Sequence, residues 1–109
     1  MDEVKALYGT QEHLGDMITV QAGAVVSRTL VDRPTGTVTL FAFDAGQKLS
    51  EHTAPYDALV HVLTGKVAIV LAGVRHELTP GDAIIMPGGV PHAVDAIEPC
   101  TWLLTMIRS

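Results

Sequence analysis

Aromatic side chains are scarce in this sequence, at 5 % of 109 residues, and cysteine occurs once, at position 100. A lone cysteine excludes any disulfide within the chain, which suits a reducing compartment and a buried, inert thiol. Charge is equally thin: 7 Lys and Arg against 12 Asp and Glu leave a net charge of -5. The basic residues are scattered, so no stripe exists to neutralise a phosphate backbone, and nucleic acid is not an expected partner. No uninterrupted apolar run is long enough to span a bilayer, so a membrane is not expected either. The opening Met1-Asp2-Glu3-Val4-Lys5 is acidic and lacks the basic and apolar regions of a secretory signal, which points to the cytoplasm. Helical periodicity is nearly absent. Its one candidate is a short N-terminal helix in which Val4, Leu7 and Tyr8 fall at i, i+3 and i+4 behind a possible Asp2 cap.

What the chain does have is apolar residues, 48 % of the total, enough for one packed core at this length. A mean hydropathy of +0.32 is high for a small soluble monomer, and large apolar patches are rarely left bare, so a homodimer is expected. Short runs of Val, Ile, Leu, Phe and Thr alternate with Gly, Pro and Asp, the pattern of an antiparallel barrel or sandwich. The runs predict strands at Met17–Val20, Ala24–Val31, Gly36–Phe43, Ala58–Leu63, Lys66–Ala72, His76–Leu78, Ala83–Met86 and Thr101–Ile107. Pro34 and Gly36 break the first long pair, Gly65 and Gly73 can supply positive φ, and Pro80-Gly81 fits the centre of a type II turn. Ala58–Leu63 is apolar on both alternating faces, so one face should line the interior and the other should be covered by a second sheet or a partner subunit. Phe41 and Phe43 share a strand face directed inward; Met86 and Trp102 read as core fillers. Asp82 can bond its own turn.

Two segments carry a family resemblance. Residues 46–65 contain Gly46, His52, Ala54, Ala58 and Gly65, and resemble the first cupin motif, G-x5-H-x-H-x3-E-x6-G, at both glycines and the first histidine. Residues 81–96 contain Gly81, Pro87, Gly89, His92 and Ala96, and are similar to the second motif, G-x5-P-x-G-x2-H-x3-N, at all but the last position. The resemblance implies an all-β, single-domain jelly-roll β-barrel over residues 1–109. In metal-binding cupins the motif-one histidines and glutamate join the motif-two histidine around one divalent ion. Here Ala54 stands at the second histidine, Ala58 at the glutamate and Ala96 at the asparagine, so only His52 and His92 remain.

Independently of any family, Val90-Pro91 holds the backbone before His92 extended and limits where its ring can point. Two imidazoles leave at least half of a metal shell to water or ligand, so one Fe, Mn, Ni or Zn ion would be held weakly, or none at all. Glu51, Asp57, His61 and His76 are the candidate replacements. In regular strands Glu51 faces away from His52, while Asp57 and His61 lie opposite position 58, unless a bulge intervenes. His61 is expected to face outward at a dimer interface, His76 to be a core or pocket-wall histidine, and His13 to be solvated.

Ala54 and Ala58 in place of bulkier, charged residues predict a roomier apolar pocket, lined by His52, Ala54, Ala58 and His92, for a small molecule with one acceptor or carboxylate. The first functional reading is therefore a small-molecule-binding protein. The second is a metal-dependent dioxygenase or isomerase using His52 and His92, with Asp57 as the carboxylate to test. The third is a metal-free epimerase-like enzyme with His92 as base and Asp57 as its orienter.

Overall fold

A computed structural model describes residues 7–108 of the chain. Among them it contains nine strands: β1 Val25–Arg33, β2 Gly36–Phe43, β3 Lys48–His52, β4 Asp57–Thr64, β5 Val67–Leu71, β6 Val74–Leu78, β7 Ala83–Met86, β8 His92–Ala96 and β9 Cys100–Ile107. All pairings are antiparallel. They form a five-stranded sheet in the order β1-β2-β9-β4-β7 and a four-stranded sheet in the order β3-β8-β5-β6, facing each other as a jelly roll.

Alternation along the strands decides which residues fill the space between the sheets. On β4, Ala58, Val60 and Val62 are buried while Asp57 and Leu59 are exposed. Trp102 of β9 stacks on Phe41 at 4.6 Å and meets Phe43 at 5.4 Å. The core continues through Val67, Ile69, Leu78, Met86, Val94, Ala96 and Cys100. Burial of this kind contributes about 25 cal/mol per Å² of apolar surface and is the main drive for closing the two sheets on each other.

Three expectations are corrected. Met17–Val20 is not a strand: a 3₁₀ turn at Leu14–Asp16 precedes it, and Met17 and Ile18 instead bury themselves on the outer face of the five-stranded sheet, against Leu30, Leu40 and Ala42. Leu63 of β4 packs on this same cluster, so at this end of the face the cover is the chain's own N-terminal segment, neither a second sheet nor a partner subunit. Conversely, β3 and β8 are strands that composition did not mark. The expected N-terminal helix lies largely outside the described residues, and Leu7 and Tyr8 are in a turn.

The β5–β6 hairpin turns through Ala72 and Gly73, both with positive φ, at +48° and +81°. That is the signature of a two-residue type I′ turn, for which Asn-Gly is the favoured pair. Left-handed backbone costs a non-glycine residue about 1–2 kcal/mol, less for Asn. Ala72→Asn should therefore raise unfolding stability by about 0.5–1 kcal/mol, read as a higher urea midpoint at unchanged slope. Pro80-Gly81 behaves as expected, with Gly81 at φ +91° and the Asp82 carboxylate accepting from the Thr79 amide and hydroxyl at 3.0 and 3.1 Å.

Candidate active site at the barrel mouth

His52 ends β3 and His92 begins β8, and the two are cross-strand neighbours. Between Leu49 and His52 the ladder slips: Leu49 pairs with Val94 and His52 with His92, so two residues of β3, Ser50 and Glu51, oppose one of β8. This is a β-bulge. Leu49 packs on the interior cluster; in a regular strand a residue three places on would point the other way. The bulge restores the parity and directs His52 to the same side as Leu49. Glu51 stays exposed.

The two rings meet edge to face, centroids 4.3 Å apart, with Nε2 to Nε2 at 3.1 Å. Each Nδ1 lies against the carbonyl oxygen two residues earlier, Ser50 at 2.7 Å for His52 and Val90 at 3.2 Å for His92. A carbonyl can only accept, so both Nδ1 atoms carry hydrogen and donate. Both Nε2 atoms then present lone pairs toward one another, which is stable only with a proton or a cation between them. Backbone carbonyls fixing the tautomer in this way are a usual accompaniment of metal-ligating histidine. At 3.1 Å the two Nε2 atoms are close enough that both would reach one ion. His92 is buried and His52 exposed, so the pair sits at the mouth, between interior and solvent.

The loops beside the pair are tied to each other. The Gly89 amide donates to the Ala54 carbonyl at 2.7 Å, and the Gly88 amide donates to the Asp57 carboxylate at 2.8 Å. A Cβ on Gly88 would lie 3.0 Å from the Pro55 oxygen, so a side chain there would press the two segments apart by a few tenths of an ångström. Asp57 therefore ties down the loop that presents His92 instead of accepting from either imidazole; its partner, 31 residues away, leaves no mark in the local sequence. The Ala72 amide donates to the Pro91 carbonyl at 2.9 Å, which braces the loop from the other side.

Ala58 points inward and is 8 % exposed; Ala54 is half-buried. Ala58 belongs to the same buried cluster as Val60, Ile69, Val94 and Trp102. His61 faces outward on β4, half-buried, beside Leu103 and Ala83. His76 is opposite Ile69 on β6, on the interior side and one row deeper than His92. His13 is exposed. No group of three or more His, Cys, Asp or Glu among the described residues could hold an ion together. Burial pushes the Cys100 thiol up to about 11, partly offset by a backbone hydrogen bond at Phe43, so it is an unreactive core residue.

Residues 39–106 match the family model described as Cupin domain. The chain is a cupin. Among solved structures this cupin is similar to a conserved protein of unknown function from Streptococcus pyogenes, at 30 % identity and TM-score 0.91, covering 100 % of this chain and 96 % of that one. A Cupin 2 conserved barrel domain protein from Leptotrichia buccalis is 33 % identical with TM-score 0.83, over 86 % of this cupin and 46 % of that chain. A cupin superfamily protein from Desulfitobacterium hafniense shares the fold at 24 % identity and TM-score 0.85, over 91 % and 94 % of the two chains. Among curated proteins none matches the sequence. No helix among the described residues is long and apolar enough to cross a membrane.

Proposed function

We propose that this cupin binds a small molecule at the barrel mouth, with His52 and His92 as its polar recognition element and as the two residues that would hold one divalent ion. The observation that supports this reading is the convergence of two lone-pair-bearing nitrogens at 3.1 Å, with both tautomers set by backbone carbonyls. An ion there would supply a localised positive charge for an oxygen of the ligand. His52 and His92 would hold it; the tied loops 54–57 and 87–91 keep the rings aimed. A ligand would complete the shell that Ala54 and Ala58 leave short, approaching from the side of exposed His52. Among the described residues no Asp or Glu joins the two imidazoles as a third ligand, which favours binding over oxidative chemistry at iron, which prefers a hard carboxylate ligand.

Titration of Ni(II) into chelator-treated protein, followed by calorimetry, tests this. The expected result is one ion per chain, weakly held, with affinity reduced at least about tenfold by His52→Ala and by His92→Ala alike. Binding that survives either substitution unchanged would move the ion elsewhere and remove the proposal.

A further inference from the structure

The imidazole pair shares its end of the barrel with two thioethers. β3 leaves the smaller sheet at His52 and β4 enters the larger one at Asp57; β7 leaves the larger sheet at Met86 and β8 enters the smaller one at His92. Both connections cross between the sheets at the same end, where the Gly89 amide donates to the Ala54 carbonyl and the Gly88 amide to the Asp57 carboxylate. His52, His92 and the first inward row of the larger sheet therefore belong to one mouth. That row reads Met86, Ala58, Met106 across β7, β4 and β9. Residues directly opposite each other in antiparallel strands share a face, with Cβ atoms about 5 Å apart. Met86 is 4 % exposed and Met106 half-buried. The single methyl of Ala58 puts no bulk between the two sulfurs, and an unbranched Met side chain adapts to the space it is given.

We infer that Met86 and Met106 are further ligands of the His52–His92 site, and that the ion it takes is copper, held most tightly as Cu(I). The inference rests on the reading of the two imidazoles as ligands to one ion and goes beyond it by naming that ion. Donor chemistry supports it first. Thioether sulfur is a soft donor that selects Cu(I), whereas manganese and magnesium suit carboxylate, carbonyl and water oxygen. Among the described residues no Asp or Glu joins the imidazoles to supply such oxygen. Charge leads to the same ion. Both imidazoles are neutral with hydrogen on Nδ1, donated to the Ser50 and Val90 carbonyls, and thioethers are neutral as well. The ion's whole charge is then uncompensated beside buried His92 and Met86. Burying an unpaired charge is costly, and the cost grows with the charge. A monovalent ion is therefore favoured over Ni(II) or Zn(II). If Met86 and Met106 were core fillers alone, leucine would serve equally well at both positions.

Anaerobic competition for Cu(I) against bicinchoninate, a chromophoric chelator, tests the assignment beside the Ni(II) titration. The wild type should bind one Cu(I) per chain, at least about tenfold more tightly than Ni(II). M86L and M106L conserve side-chain volume and remove one sulfur each. Because loss of even a supporting partner of a ligand costs about 10–100-fold in metal affinity, each variant should bind Cu(I) at least about tenfold more weakly. Ni(II) binding, carried by the imidazoles, should be unchanged in both, which also shows that the site is still folded. X-ray absorption at the copper edge should show sulfur beside nitrogen in the Cu(I)-loaded wild type. That spectrum decides the matter on its own should a variant fold poorly. A copper shell of nitrogen and oxygen only would overturn the inference, as would Cu(I) binding in M86L and M106L equal to the wild type's. Either result, with Ni(II) still lost in His52→Ala and His92→Ala, would leave the two-imidazole reading standing. Binding of both ions that is indifferent to His52 and His92 would remove that reading and the copper assignment together.

Discussion

Replacing Ala58 by Glu and Ala54 by His together should raise affinity for Ni(II) or Mn(II) by at least about 100-fold, because a two-ligand site gains two more ligands, one of them anionic. Position 58 faces the interior at 8 % exposure, opposite Met86 on β7 and Met106 on β9. Position 54 lies in the loop whose carbonyl accepts from Gly89, a bond the new side chain leaves in place. Without metal the variant should be less stable than the wild type, by about 2–4 kcal/mol, since a buried carboxylate has no compensating charge among Met and Val side chains. Saturating metal should narrow that gap, because an ion present at 100 times its dissociation constant adds about 2.7 kcal/mol. The measurement is thermal unfolding of both proteins with and without Ni(II). A metal-induced rise in Tm no larger in the double variant than in the wild type would show that positions 54 and 58 do not face the His52–His92 pair.

Gly65→Ala should be the most damaging single-methyl change in the chain. Gly65 links β4 to β5 with φ +75°, and a Cβ there would run into the carbonyl oxygen of Pro99 and lie 2.8 Å from Cys100 Cα. These obstacles are backbone, at the start of β9, which lies between β2 and β4 in the larger sheet; they cannot swing aside as a flexible side chain can. Left-handed strain adds about 1–2 kcal/mol. The sum should reach at least about 4 kcal/mol, a large share of the 5–15 kcal/mol a domain commonly has. Gly73→Ala is the control, for Gly73 has φ +81° but nothing within 4 Å of the added carbon, so it bears the strain alone. Denaturant midpoints that place the two variants level would refute the steric account.

Much of the fold was legible because alternation is a local signal. Gly36–Phe43 and Ala83–Met86 are strands with the bounds that composition predicts, and Phe41, Phe43 and Trp102 pack together inside as read. The two strands carrying the imidazoles were not legible. Lys48-Leu-Ser-Glu-His has one apolar residue, and His-Ala-Val-Asp-Ala leans on Ala and Asp, both poor strand formers. They are strands because they pair with each other and because Leu49 and Val94 reach the core. Met17–Val20 shows the reverse: its apolar side chains found cover without joining a ladder. The meeting of His52 with His92 followed from motif spacing, whereas the tautomers, the bulge and the task of Asp57 depend on carbonyls and amides that only the folded backbone brings into range.

The slip at Ser50 and Glu51 has an evolutionary corollary. Since a single extra residue decides on which side of the sheet His52 emerges, loss or gain of one codon in β3 would remove or create the imidazole pair while the core behind it kept its packing. In this scaffold the chemistry of the rim can therefore change in one genetic step, separately from the stability of the barrel.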